Sequence, residues 1–217
     1  MRAVRPVFVE AARQRRDDSR MRLIDVKHLG RKRVIGCWEL DGVLIDPGPA
    51  SSLGTLLEAL AEPPRAVLLT HIHLDHAGGA GTLVRRWPGL PIYVHELGAP
   101  HLADPSKLIA SAARLYGEEM DRLWGEIVPV PQENLRPLAG GEEILGFRVA
   151  YTPGHASHHV SYLHGESGTA FVAEEFRRAL IADVEREVGG EAARAMAQAV
   201  PAEQQWAGLD RYWRQRA

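Results

Sequence analysis

One stretch constrains this chain more than any other. Ala66-Val67-Leu68-Leu69-Thr70 is a nearly all-apolar run, of the kind found in a strand covered on both faces. Directly after it come His71-Ile72-His73-Leu74-Asp75-His76, and then Ala77-Gly78-Gly79. Three imidazoles and one carboxylate thus fall within six positions at the end of a buried strand. Alternation along an extended chain sends His71 and His73 to one side. Asp75 and His76 fall on the turn into a helix start at Gly78-Gly79. Neutral imidazole suits zinc, iron or manganese, and a carboxylate adds a hard oxygen. The two subsets have the donors to serve two neighbouring cations.

Two further loops offer related chemistry. Thr152-Pro153-Gly154-His155 ends a predicted strand pair over 144–152, broken at Gly146, and brings another imidazole. Asp46 ends the predicted buried strand Val43-Leu44-Ile45. A turn carboxylate there caps backbone amides as readily as it serves a site. His158 and His159 suit hydrogen bonding to ligands, substrate contact or the surface. His28, His95, His101 and His164 read as ordinary solvated or hydrogen-bonded histidines. Metal sites on strand-end loops over a rigid sheet are a sound layout.

The remaining pattern alternates strands and helices. Leu23–Val26 and Val34–Leu40 read as strands, with Asp41-Gly42 as a two-residue hairpin turn. Ser51 and Ser52 are candidate caps for a helix through Leu53, Leu56, Leu57 and Leu60. A helix through Leu83 and Trp87 precedes the strand Ile92–His95. A helix over 106–124, capped by Ser106, carries Leu108, Ala112, Leu115, Tyr116, Met120, Leu123 and Trp124 on one stripe, a substrate lid or a packing face. Val160–Leu163 and Thr169–Val172 form a last hairpin. Phe176, Leu180, Val184 and Val188 then recur every four residues, and two more helical stretches follow from Ala192 and Pro201. Three segments result: an arm over 1–20, a domain over 21–172 and a helical extension over 173–217.

Composition removes several function classes. Of 217 residues, 45% are apolar and 25% charged, as in a soluble globular protein. A formal net charge of −2 gives no field for holding a nucleic-acid backbone. No run approaches the roughly 18 apolar residues of a membrane span. With one cysteine, Cys37, no intramolecular disulfide forms, and a reducing cytoplasm is the default. Residues 1–20 hold six arginines but no apolar segment of the roughly 7–15 residues that a secretory signal needs. They read as an exposed arm, or as sequence upstream of a start at Met21.

Thr70-His71-Ile72-His73-Leu74-Asp75-His76, Asp46-Pro47-Gly48 and Thr152-Pro153-Gly154-His155 together resemble the motifs of the metallo-β-lactamase-fold hydrolase superfamily, in particular its glyoxalase II-like bacterial members. The resemblance covers about Met21 to Val172. It implies an α/β fold, an αββα sandwich with metals at one edge of the two sheets. It assigns His71, His73 and His155 to a first metal and Asp75 and His76 to a second, with zinc, iron or manganese as candidates. Asp46 and His159 would orient ligands from behind or meet substrate. The implied reaction is metal-assisted hydrolysis of an ester, thioester or lactone-type bond in a small molecule, with Asp75 and His76 as the catalytic pair. A nuclease of the same superfamily is disfavoured by the neutral charge. The redox di-iron members are disfavoured because they usually carry a glutamate where His73 stands.

The pattern departs from the family after Val172. The family's bridging aspartate is replaced by Glu174, which equally suits the start of a helix. The family's last histidine ligand has no counterpart, since His164 is the final histidine. The expectation is a missing internal segment with a join near Val172 to Glu174 and an incomplete second half. Either the C-terminal helices or a second copy of the chain would then cover the exposed sheet. The competing reading is a metal-binding but catalytically impaired homologue with an interaction role or none.

Overall fold

The computed structural model describes residues 21–172. The expectations for the arm, for Glu174 and for the three C-terminal helices lie outside the described residues. One sheet has six strands in sequence order: β1 (Met21–Asp25), β2 (Gly36–Leu40), β3 (Val43–Ile45), β4 (Ala66–Leu68), β5 (Ile92–His95) and β6 (Leu135–Leu138). The first two pairings are antiparallel and the last three parallel. The turn between β2 and β3 is the expected Asp41-Gly42, with φ of 50 and 77°, the left-handed pair that a tight hairpin demands. The second sheet is antiparallel, ordered β10 (Ala170–Phe171), β9 (Val160–His164), β8 (Phe147–Tyr151), β7 (Glu143–Ile144).

Side-chain alternation along the first sheet divides the core in two. Leu44, Val67, Leu69, Ile92 and Val94 face a helical layer, where they meet Leu53 and Leu56 of α1 (Leu53–Ala59), Leu83 of α3 (Ala80–Arg86) and Leu102 of α4 (Ala99–Ala103). Their neighbours Val43, Ile45, Ala66 and Leu68 face the second sheet and meet Phe147, Val149, Val160, Tyr162 and Phe171. Tyr162 is fully buried, and its hydroxyl donates to the Leu69 carbonyl at 2.8 Å, tying the sheets together. The described residues therefore form a helical layer and two stacked sheets. No fourth, helical layer lies among them, and the expected join falls at their edge.

Several local expectations are corrected. Ser51 and Ser52 belong to a 3-10 turn, Ala50–Ser52; Ser52 stands at the N-cap position of α1 as expected, but its side chain makes no capping hydrogen bond. Ser51 Oγ donates to the Leu123 carbonyl at 2.6 Å and Ser52 Oγ pairs with His28 Nδ1 at 3.2 Å, so tertiary partners win both hydroxyls. The helix expected over 106–124 is two, α5 (Ser106–Tyr116) and α6 (Met120–Trp124), because Gly117 takes φ 53° and a 3-10 turn intervenes. Ser106 is the first residue of α5, and Asp104 Oδ1 accepts its N–H at 3.1 Å. Strand β6 has no counterpart in the sequence reading. It contains Pro137, which an edge position tolerates. Among the described residues, no helix is long and apolar enough to cross a membrane.

Candidate metal centre

The site grows from the carboxyl ends of the parallel strands β3 and β4, the usual place for a crevice in such a sheet. Asp46 leaves β3 with φ 51°. Its Oδ1 accepts the Thr70 N–H at 2.8 Å, and its Oδ2 accepts both the Thr70 hydroxyl at 2.7 Å and His76 Nδ1 at 2.9 Å. The backbones are stitched as well. Gly48 N–H donates to the His76 carbonyl at 3.0 Å, and Gly79 N–H donates to the Gly48 carbonyl at 2.9 Å. A Cβ on Gly79 would stand 2.7 Å from Leu53 Cδ2 and 3.1 Å from the Gly48 oxygen. A glycine after the histidine loop is what lets these two loops close.

Hydrogen-bond chemistry then sets the tautomer of His71. A carboxylate only accepts, so the Thr70 hydroxyl proton is committed to Asp46. Thr70 Oγ1 lies 3.0 Å from His71 Nδ1 and is left to accept there. The ring proton sits on Nδ1 and the lone pair on Nε2. That Nε2 is buried and has no hydrogen-bond partner among the described residues. Burial first, and the surrounding imidazoles second, hold His71 far below the usual histidine range, so the ring is neutral.

Two more imidazoles converge on the same point from different loops. His73 Nδ1 and His155 Nε2 are 3.0 Å apart, and one nitrogen from each of His71, His73 and His155 lies within 4.8 Å of the others. Nitrogens about 2.0–2.1 Å from one tetrahedral ion stand roughly 3.4 Å apart, so the spacing suits a shared cation. Among the described residues this is the one group of three or more metal-type side chains at such spacing. An orphaned lone pair and three convergent imidazoles fit zinc, iron or manganese.

Asp75 and His76 sit on α2 (Leu74–Ala77) beside the triad, with the His71 and His76 ring centroids 4.1 Å apart. His76 Nε2 is 3.3 Å from Asp75 Oδ2. Burial opposes a charged His76, but Asp46 and Asp75 on either side outweigh it and push it up to about 10. Burial likewise works to raise the Asp75 carboxyl, yet the His76 hydrogen bond and charge hold it below the usual range. Among the described residues the two form a pair rather than a group of three. Glu174, the expected further donor, lies outside them.

The supporting histidines have distinct places. His159 is buried, with Nδ1 2.7 Å from Thr152 Oγ1, which in turn lies 2.9 Å from Ser161 Oγ. Its Nε2 has no partner among the described residues, and burial pushes the ring down to about 4. His158 is also down to about 4, by burial and then His73. Its ring centroid lies 5.9 Å from that of His73. His95 stacks on Tyr151 at 4.4 Å, and the Tyr151 hydroxyl donates to the Ser157 carbonyl at 2.8 Å, bracing the His155 loop. His28 stacks on Trp124 at 5.7 Å. The sequence reading missed the roles of Thr70 and Thr152, although each is a hydroxyl at a fixed place in its motif. A cavity of about 480 Å³ opens beside the triad, lined by His73, Asp75 and His158 and by Leu108, Ala112 and Trp124 of α5 and α6.

Residues 39–207 match the family model described as Metallo-beta-lactamase superfamily, and this chain belongs to that superfamily. The match runs on past Val172. Among curated relatives, a hydroxyacylglutathione hydrolase of Xylella fastidiosa (strain 9a5c) is 35% identical over 123 residues, covering 56% of this chain and 36% of the relative. A hydroxyacylglutathione hydrolase of Legionella pneumophila (strain Corby) is 26% identical over 138 residues, covering 63% of this chain and 44% of the relative. The chain thus spans less than half the length of these two relatives. An archaeal metallo-beta-lactamase superfamily protein from Sulfolobus tokodaii has a similar fold, with TM-score 0.57, 23% identity, and coverage of 77% of this chain and 76% of that one.

Proposed function

We propose that this protein is a metal-dependent hydrolase of small molecules that cleaves an ester, thioester or lactone-type bond. The observation that carries this reading is the triad of His71, His73 and His155, with the lone pair of His71 Nε2 unpartnered among the described residues, beside a cavity that His73 lines. The hydroxyacylglutathione hydrolase relatives favour a thioester.

The three imidazoles would hold one zinc, iron or manganese ion, and Asp75 and His76 would contribute to a second. A bound ion would polarise the scissile carbonyl and lower the pKa of water at the site. The chain's own residues do the positioning. Asp46 holds His76 directly and His71 through Thr70, so one carboxylate fixes two rings. Asp75 lines the cavity and would take the proton of the attacking water. His158, on the same cavity wall, offers a neutral imidazole to the substrate. The single cysteine, Cys37, and the near-neutral net charge support a cytoplasmic enzyme that does not act on nucleic acid.

A second reading, metal binding without turnover, is favoured by one observation: Asp75 and His76 find no third donor among the described residues. Elemental analysis of protein purified without chelator, with turnover of a hydroxyacylglutathione thioester, separates the two. About two equivalents of metal with turnover supports the hydrolase, since a two-metal centre needs both. About one equivalent without turnover supports the second reading. A folded chain that takes up no metal overturns both.

A further inference from the structure

The cavity beside the triad carries an asymmetry that the hydrolytic reading does not use. Its one lining carboxylate, Asp75, is at the metal end and is engaged by His76. Its lining groups outside the triad region that can carry positive charge are Lys107 and His101, which come from the consecutive helices α5 and α4. Lys107 makes no ion pair among the described residues. Asp104, three residues before it, is engaged with the Ser106 N–H and does not line the cavity. The α5 and α6 wall carries Leu108, Ala112, Leu115 and Trp124, together with the hydroxyls of Ser111 and Tyr116. Leu115 is 78% exposed, so a bound apolar chain would find surface to cover.

We propose that this cavity selects acyl substrates whose chain is apolar and ends in a carboxylate, with Lys107 as the specificity-determining residue that pairs with that carboxylate. The reactive carbonyl lies at the triad, the chain runs along α5, and the terminal anion meets Lys107 with His101 beside it. One ammonium matches the single charge of a carboxylate better than the doubled charge of a phosphate monoester. The inference rests on the hydrolase reading for the bond that is cleaved, but not for the charge that is selected.

The test uses the full chain and two arms. In the first, mono-4-nitrophenyl esters of the dicarboxylic acids from succinic to suberic are compared with 4-nitrophenyl esters of the matching monocarboxylic acids. The anionic ester is preferred in kcat/KM at the matching chain length. Lys107 is exposed, and Lys107→Gln lowers that preference roughly two- to fivefold, the range for an exposed charge pair, through KM rather than kcat. Lys107→Arg restores it, and added salt erodes it. In the second arm, calorimetry compares glutarate with pentanoate on wild type and Lys107→Gln. Equal treatment of charged and neutral ligands in both arms overturns the inference, while continued ester cleavage leaves the hydrolase reading standing. Lys107-dependent glutarate binding without cleavage of any ester sustains the inference and removes the hydrolase reading. Cleavage of neutral and phosphorylated chains over carboxylated ones also overturns it.

Discussion

Replacing Thr70 by valine tests the internal logic of the site. Thr70 is 2% exposed, and valine fills nearly the same volume without the hydroxyl. The substitution removes the bond that Thr70 Oγ1 donates to Asp46 Oδ2 at 2.7 Å and the bond that His71 Nδ1 donates to Thr70 Oγ1 at 3.0 Å. A hydrogen bond to a charged group contributes about 1.5–3 kcal/mol and a neutral one about 0.5–1.5 kcal/mol. Asp46 keeps the Thr70 N–H and His76, so it is not stranded. The loss in stability of the metal-free protein should be about 3 kcal/mol, read by urea denaturation. The larger consequence concerns the ring. Without its acceptor, His71 Nδ1 no longer fixes the lone pair on Nε2. Losing such an orienting partner weakens metal affinity by roughly 10–100-fold. Competition for zinc against a chromophoric chelator measures this directly. Thr70→Ser keeps the oxygen and should stay within a few-fold of wild type. If Thr70→Val binds zinc as tightly as wild type, the Asp46–Thr70–His71 relay does not set the tautomer. If Thr70→Ser is as damaging as Thr70→Val, packing rather than the relay explains the loss.

Three further outcomes follow from the same geometry. Metal-free protein should lose stability as pH falls from about 6.5 to about 4, because the depressed His159 and His158 stay neutral in the fold while the unfolded chain takes up protons. His159 alone contributes about 3 kcal/mol across that window, so denaturation midpoints of His159→Gln should vary less with pH. His76 acts in the opposite sense: its stabilisation is complete below the unfolded value and fades as pH rises toward about 10, and Asp46→Asn should weaken that alkaline dependence, leaving the part that Asp75 supplies. Gly81→Ala should be severely destabilising by thermal melt, since its Cβ would lie 1.9 Å from the Val128 carbonyl oxygen, a backbone atom with no side-chain freedom to yield. His155→Ala should leave the metal-free melting behaviour within about 0.5 kcal/mol, because His155 is exposed, yet abolish tight binding of the first metal in a zinc titration.

Much of this protein was legible along the chain because the determining interactions are local. The strand β4 and the ligands after it are adjacent in sequence, and strand alternation puts His71 and His73 on one side. The hairpin at Asp41-Gly42 is written in two residues whose φ values few others accept. Where expectations failed, a distant partner outbid a local preference. Ser51 and Ser52 look like helix caps, but Leu123 and His28 take their hydroxyls. The stripe from Leu108 to Trp124 reads as one helix, but the turn at Gly117 folds α6 back, where Trp124 closes the cavity wall. Pro137 hides β6, because sequence alone does not say which strand will lie at an edge.

The sequence by itself determined the chemistry available: which residues can ligate, which strands are buried on both faces, and which loops hold the histidines. It did not determine how those loops meet. That His155, 82 positions from His73, places its Nε2 3.0 Å from His73 Nδ1 depends on the second sheet docking through Tyr162 onto the first. That Asp46 governs two histidine rings depends on β3 and β4 being parallel neighbours, which brings their ends together. That Lys107 shares a cavity with Asp75 depends on how α5 packs over α2. Ligand identity is a property of side chains. Convergence, tautomer and charge at a cavity wall arise only when packing brings distant segments within a few ångströms of each other.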